Sequence, residues 1–262
     1  MSTVLANGFR SYYQVDGDAA LPVLVLSHSL GTNSDLWASQ LPALCGRFRV
    51  LRYDIRGHGK TEATPGPYTI ELLSADLLAL LDALAIEQFD FCGVSLGGFI
   101  GQWLGANAPH RARRLVLANT AARIGPADIW DTRIATIRAY GMSAIADASV
   151  DRWFTAPFCA QEPSVCDGFR RVLLETPAEG YIASCMAIRD MDHTVLVSRI
   201  ASPVLVVAGT MDRVTPPEEA AWLAGRIPRA DLVVLPAAHL SNVEAANQFN
   251  EVVSAFLSSQ EA

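Results

Sequence analysis

A serine set between two glycines constrains the fold of this chain most strongly. The pentapeptide Gly93-Val94-Ser95-Leu96-Gly97 follows an apolar run typical of a buried strand and precedes a run typical of a helix. At such a strand-to-helix turn the serine is strained, and small neighbours let the adjoining backbone pack closely. We expect its hydroxyl at the carboxyl end of a sheet, beneath a helix amino terminus that favours negative charge. Ser95 is therefore a candidate nucleophile.

Two further residues complete a candidate catalytic triad. Asp212 follows the apolar run Pro203 to Gly209, and His239 follows the apolar run Leu232 to Leu235. The order serine, acid, histidine along the chain is the order that this type of turn requires. Because parallel strands end at one edge of a sheet, we expect the three side chains to converge there. Ser95 would attack, His239 would take its proton, and Asp212 would orient the imidazole.

Structural roles are the alternatives for these residues. A serine in this turn also serves as a helix cap, and a single histidine is more often structural. Asp212 is an alternative cap for the helix that follows it, although Thr215 and Glu218 form a better capping box there. A second capping box, Ser241 and Glu244, predicts the start of the last helix. The joint occurrence of the three residues in the required order favours the triad.

An oxyanion hole is predicted from an earlier loop. The buried-strand run Val23 to Leu26 ends in the small-residue loop Ser27 to Gly31. One donor is expected to be the backbone N–H of Leu96, directly after the nucleophile, and the other the N–H of Leu30. His28 is expected to stiffen this loop through hydrogen bonds rather than to act chemically.

Alternating strand and helix patterns predict an α/β fold with one interruption. Residues Phe9 to Val15 are typical of an edge strand, and Leu72 to Leu84 carries apolar residues at helical spacing. Between residues 120 and 192 the alternation stops, and short helical patterns are broken by Gly and Pro. We therefore predict a core of residues 1–119 and 193–262 and a helical cap of residues 120–192 that shapes the substrate site.

The motifs together resemble the α/β-hydrolase family, over nearly the whole chain. Within that family the resemblance is closest to 3-oxoadipate enol-lactonases, carried by residues 180–192 and 208–217 as well as by His28 to Gly31, Asp54 to Gly59, Gly93 to Gly98, Asp212 and His239. It implies a mostly parallel twisted sheet with helices on both faces and a cap inserted between two late strands. It also implies hydrolysis of 3-oxoadipate enol-lactone to 3-oxoadipate through an acyl-enzyme, in the β-ketoadipate route of aromatic breakdown, without metal or organic cofactor.

A small anionic lactone needs a local cation, because the chain has a net charge of −7. Arginine suits a carboxylate through its paired donors. The predicted cap contains seven arginines, and our hypothesis is that Arg133 or Arg138 binds the substrate, with Trp130 nearby on the same early helix. The alternative for each arginine is a solvated surface position.

Other functions stay open at this point. A carboxylesterase, a perhydrolase or a carbon–carbon bond hydrolase would use the same catalytic residues. A protein of a different class, which binds a ligand in the pocket without catalysis, would not need a complete triad and oxyanion loop.

Composition excludes some partners and leaves others open. An acidic chain with a pI near 5.2 disfavours nucleic acid, which needs a basic face. No apolar stretch approaches the roughly 18–20 residues that cross a membrane, and the first residues do not resemble a signal peptide. Five cysteines without paired Cys-x-x-Cys spacing predict a reduced, cytoplasmic protein with no metal site. A homo-oligomer is one alternative for its assembly.

Overall fold

The apolar runs of the chain form one sheet. A computed structural model describes residues 2–259, and the strands in that range are β1 (Ser2–Ala6), β2 (Phe9–Asp16), β3 (Val23–Ser27), β4 (Arg49–Tyr53), β5 (Phe89–Val94), β6 (Ala112–Ala118), β7 (Val204–Gly209) and β8 (Ala230–Leu235). Their order across the sheet is β1-β2-β4-β3-β5-β6-β7-β8. Strands β3 to β8 are parallel, whereas β1 and β2 run antiparallel to their neighbours.

The prediction of an edge strand at Phe9–Val15 is wrong in its position. This segment lies in β2, which is paired on both sides, and β1 is the edge strand on this side of the sheet. Asn7 and Gly8 connect the two strands, with φ angles of 48° and 83°. Two positive φ angles are what a tight hairpin turn between antiparallel strands requires.

Every residue of β5 and of β7 is buried, which shows that both faces of the sheet are covered by helices. The helices of the described range are α1 (Leu41–Leu44), α2 (Ile70–Ala83), α3 (Leu96–Asn107), α4 (Ala127–Tyr140), α5 (Ser143–Trp153), α6 (Ala156–Gln161), α7 (Pro163–Glu175), α8 (Ala178–Asp190), α9 (Pro217–Arg226), α10 (Ser241–Glu244) and α11 (Ala246–Ser258). Short 3₁₀ turns occur at Ser34–Trp37 and Leu196–Arg199. None of the helices within residues 2–259 combines the length and the apolar character that a membrane crossing requires.

Five helices, α4 to α8, lie between β6 and β7 along the chain, where the sequence predicts a cap without strands. They pack mainly on one another, α4 against α5 and α8, and α7 against α5 and α6. We call these five helices the cap helices.

The prediction that the cysteines are all reduced is wrong for one pair. Cys159 in α6 and Cys166 in α7 form a disulfide, and their Cα atoms are 5.8 Å apart. Cys45, Cys92 and Cys185 are free. The chain turns between α6 and α7, which brings the two cysteines together. Their spacing along the sequence does not predict this proximity.

Candidate active site

The turn after β5 holds Ser95 in a strained conformation. Its φ is 55° and its ψ is −111°, between the last residue of β5 and the first of α3. A Cβ on Gly97 would lie 2.2 Å from the carbonyl oxygen of Ser27, and one on Gly93 would lie 2.3 Å from the carbonyl oxygen of Gly97. Both glycines of the motif are therefore required by close backbone packing, which presents the serine at the end of the sheet.

The predicted acid and histidine of the triad are in direct contact. Nδ1 of His239 lies 2.8 Å from Oδ2 of Asp212, and both residues are buried. Asp212 follows β7 and His239 follows β8, which are parallel neighbours, so their loops leave the same edge of the sheet. This contact assigns the proton of the neutral imidazole to Nδ1 and leaves Nε2 as the proton acceptor.

Asp212 is surrounded by further donors that the sequence analysis did not identify. Oδ2 also accepts from Nδ2 of Asn119 at 3.0 Å and from the hydroxyl of Thr215 at 2.8 Å. Oδ1 accepts from the backbone N–H groups of Val214 and Thr215. Thr215 therefore braces the carboxylate, and the prediction that it caps α9 is wrong, because that helix has no side-chain cap.

These donors keep Asp212 ionised. Burial raises the pKa of the Asp212 carboxyl, but the charge of His239 and the hydrogen bonds from His239, Thr215 and Asn119 outweigh burial and lower it to about 2. A carboxylate that stays charged at neutral pH holds the imidazole orientation and stabilises the imidazolium that forms when His239 accepts a proton.

Ser95 and His239 line the same cavity. Within residues 2–259 no hydrogen bond joins the Ser95 hydroxyl to Nε2 of His239. Catalytic hydrogen bonds are often long without substrate and tighten when it binds. The cavity is thus lined by a serine with a strained backbone and by an imidazole that a carboxylate holds in place, as an acyl-transfer site requires.

The two predicted oxyanion donors are available. Leu30 follows β3 in a loop that lines the cavity, and Leu96 is the first residue of α3. Within the described part of the chain neither backbone N–H donates to another protein group. The N–H of Gly97 donates to the carbonyl oxygen of His28 at 3.1 Å, which ties the loop to the start of α3. The two free donors are thereby held on adjoining backbone segments.

His28 has the structural role that the sequence analysis expects. Its Nδ1 donates to the carbonyl oxygen of Ser29 at 2.8 Å, and its Nε2 accepts from the backbone N–H of Ile55 at 2.9 Å. Burial lowers the pKa of His28 to about 4, although the bond to Ser29 opposes this shift. The neutral ring therefore links the oxyanion loop to the loop after β4.

The cavity has a volume of about 410 Å³ and is lined by both core loops and cap helices. Trp130 and Arg133 of α4, both of which the sequence predicts to bind substrate, lie in its wall. Arg138 is exposed and lies outside the cavity, so that of the two candidate arginines only Arg133 has the right position. Arg152 of α5 also lines the wall, and the sequence analysis did not single it out.

The histidine loop is anchored to the cap. One carboxylate oxygen of Glu244 accepts from the backbone N–H of Ala238 at 2.9 Å, next to His239, and the other from the hydroxyl of Thr155 at the start of α6. The hydroxyl of Ser241 donates to the side chain of Asn119. The predicted capping box is therefore wrong, because both of its side chains bind tertiary partners instead.

Comparison with known proteins decides the family. Residues 22–140 match the family model described as alpha/beta hydrolase fold. The chain is 40% identical to 3-oxoadipate enol-lactonase 2 of Acinetobacter baylyi, over 97% of this chain and 96% of that protein. The chain belongs to the α/β-hydrolase family. The resemblance inferred from its motifs is thus confirmed.

Solved structures extend this comparison of the α/β-hydrolase chain. An enol-lactonase from Burkholderia xenovorans superimposes with a TM-score of 0.97 at 44% identity, covering 98% of this chain and all of that one. A thermophilic esterase from Thermogutta terrifontis, solved with malate bound, gives a TM-score of 0.90 at 27% identity, covering 98% of this chain and 97% of that one. Proteins of this shape thus include enzymes that open lactones and enzymes that cleave esters.

Proposed function

We propose that this protein is a serine hydrolase that converts 3-oxoadipate enol-lactone to 3-oxoadipate, in the β-ketoadipate route. The observation that carries the proposal is the likeness over almost the full chain to proteins named as enol-lactonases. Two features of the cavity support it. Ser95, Leu30 and His239 line the cavity, with Asp212 bonded to His239, and the cap contributes arginines that suit an anionic lactone.

The chemistry begins with attack of the Ser95 hydroxyl on the lactone carbonyl carbon, while His239 takes the hydroxyl proton. The negative oxygen that forms is stabilised by the N–H groups of Leu30 and Leu96. Collapse of this intermediate breaks the ring carbon–oxygen bond, and the departing enol oxygen receives the proton from His239. An enol is an easier leaving group than a simple alkoxide, and it then tautomerises to the ketone.

The second half releases the acyl chain. Water attacks the ester carbon on Ser95 as His239 removes its proton, and the same N–H groups stabilise the second oxyanion. Breakage of the serine ester bond, with the proton returned from His239 to Ser95, frees a carboxylic acid, which then loses its remaining proton to solvent. Asp212 keeps its charge throughout and stabilises the imidazolium in both halves.

A cytoplasmic location is also proposed. The free cysteines, Cys45, Cys92 and Cys185, suit a reducing compartment. The disulfide in the cap is the feature that weighs against it.

The test is a hydrolysis screen of freshly generated enol-lactone against p-nitrophenyl acetate and a dienone from ring cleavage. We expect kcat/KM to be highest for the enol-lactone, and Ser95→Ala to remove at least about 10³-fold of that rate. A fluorophosphonate probe should label the wild type and not the variant. A preference for the simple ester would favour an esterase, a preference for the dienone would favour a carbon–carbon bond hydrolase, and an unlabelled Ser95 would favour a non-catalytic protein.

A further inference from the structure

Two arginines of the cavity wall differ from the other arginines of the cap helices. Arg133 and Arg152 are half-buried, and within residues 2–259 neither forms an ion pair. Arg170 and Arg189, by contrast, pair with aspartates at the surface. Arg123, in the segment before α4, does the same. Two half-buried cations side by side, neither of them paired with an acid, are unfavourable unless an anion joins them.

The guanidinium group of Arg133 is largely occupied by the protein. Its Nε and Nη2 both donate to the hydroxyl of Tyr181, at 2.9 and 2.6 Å, and its Nη2 also donates to the hydroxyl of Ser149 at 2.7 Å. The Nε and Nη2 edge of Arg133, which would otherwise bind a carboxylate through two parallel hydrogen bonds, is therefore occupied by protein groups. Only the Nη1 donors of Arg133 remain for a ligand.

Most N–H donors of the Arg152 guanidinium group, by comparison, have no protein partner within the described residues. Within the described residues its one hydrogen bond runs from Nη2 to the hydroxyl of Ser149, at 3.4 Å. The same hydroxyl oxygen thus contacts both arginines, which places the two cationic groups next to each other. Burial, and then the neighbouring charge of Arg133, lower the pKa of Arg152. The other cavity arginines, Arg123 and Arg213, are exposed to solvent.

We propose that Arg152 binds the substrate carboxylate through paired N–H donors, and that Arg133 mainly positions the wall of the site. This inference rests on the proposed function, since it concerns the carboxylate of an anionic lactone or its product. Arg133 adds charge and its Nη1 donors, while its other donors hold Tyr181 and Ser149. Ser149 in turn keeps the two arginines together, and it donates to the carbonyl oxygen of Ile145 in its own helix.

The experiment compares Arg152→Gln, Arg152→Lys and Arg133→Gln with the wild type. Arg138→Gln is the matched control, because it removes one positive charge from an exposed site in the same cap. KM and kcat are measured for the enol-lactone and for neutral p-nitrophenyl acetate. Adipate, a plain dicarboxylate, is tested separately as a competitive inhibitor of p-nitrophenyl acetate hydrolysis, which needs no lactone activity.

For Arg152→Gln we expect about a 30-fold rise in the lactone KM and in the adipate inhibition constant, with p-nitrophenyl acetate hydrolysis changed less than about twofold. Arg152→Lys should fall between this variant and the wild type, because lysine keeps the charge but loses the paired donors. Arg138→Gln should behave as the wild type. Arg133→Gln should lower the melting temperature and slow both substrates, since it frees a buried tyrosine hydroxyl.

Several results would overturn the assignment. One is an Arg152→Gln enzyme with unchanged lactone KM and adipate inhibition. Another is equal loss on the charged and the neutral substrate, and a third is a selective rise in KM in Arg133→Gln alone. If the wild type hydrolyses p-nitrophenyl acetate but not the lactone, the proposed function fails. The adipate measurement then still decides whether Arg152 binds carboxylates.

Discussion

Asn119 shows how a single residue outside the proposed triad holds two of its members in place. It follows β6 with a positive φ of 46°, and its side chain donates to Asp212 and to the carbonyl oxygen of Ala238, beside His239. The oxygen of the same side-chain amide, Oδ1, accepts from the hydroxyl of Ser241. One amide therefore connects the acid loop with the histidine loop. No sequence pattern identifies it, because its partners lie about 90 or more residues away along the chain.

Replacing Asn119 tests this positioning role. Asn119→Gly retains the backbone conformation, since glycine adopts positive φ without steric cost, and removes only the side chain. We expect kcat for the enol-lactone to fall about tenfold with KM nearly unchanged, because a hydrogen bond to a charged carboxylate is lost. Steady-state kinetics measure both constants.

Asn119→Ala separates backbone strain from side-chain loss. It should match Asn119→Gly in kcat but unfold more readily, by about 1 kcal/mol in urea, because alanine is strained at this φ. A kcat equal to that of the wild type in both variants would mean that the amide does not position the triad.

At the level of the elements, local sequence patterns predict the strands and helices well. They predict the edge strand and the side chains that cap helices poorly. The Asn7-Gly8 pair is a strong hairpin signal, and it indicates a strand before Phe9 that pairs with β2. Thr215 and Glu244 fit capping boxes in sequence. In the structure the hydroxyl of Thr215 donates to the carboxylate of Asp212, and the carboxylate of Glu244 accepts from Thr155 of the cap. A capping residue and a tertiary donor have the same local sequence, so that only the packed structure distinguishes them.

The disulfide between α6 and α7 predicts how many thiols of the protein can react. The chain has five cysteines, and Cys159 and Cys166 are joined where α6 and α7 meet. Denatured protein, purified without reductant, should therefore react with Ellman's reagent at three thiols, and at five after reduction. Cys159→Ser should react at four without reduction, because it releases Cys166, whereas Cys45→Ser should react at two. Five reactive thiols in the unreduced wild type would exclude the disulfide.

At the scale of the whole molecule, buried neutral histidines link stability to pH. Burial lowers the pKa of His28 to about 4, of His58 to about 3 and of His193 to about 4. In the unfolded chain these groups titrate near 6.5, so that between pH 6.5 and 4 the unfolded state binds more protons. Stability is therefore fully present above pH 6.5 and falls as the pH is lowered through this range.

Urea unfolding at pH 7 and pH 5 measures the effect. For each of these histidines, the free energy of unfolding should fall by about 1 kcal/mol for every pH unit below 6.5. His193→Gln should flatten the dependence by one such contribution. His110→Gln, at an exposed position, serves as the control and should leave it unchanged. Equal unfolding free energies at the two pH values would contradict the prediction.

The sequence alone determined the fold class, the strand-to-helix serine turn and the helical character of the insertion, and it proposed Ser95, Asp212 and His239 as a catalytic triad. These follow from apolar periodicity and from short motifs, in which the residues that matter are close together along the chain or come directly after a strand. Tertiary structure decided which arginine faces the cavity, which cysteines pair and which side chains brace Asp212. These contacts join segments that are distant along the chain or separated by a turn, and their geometry depends on how the cap helices and the core loops pack together.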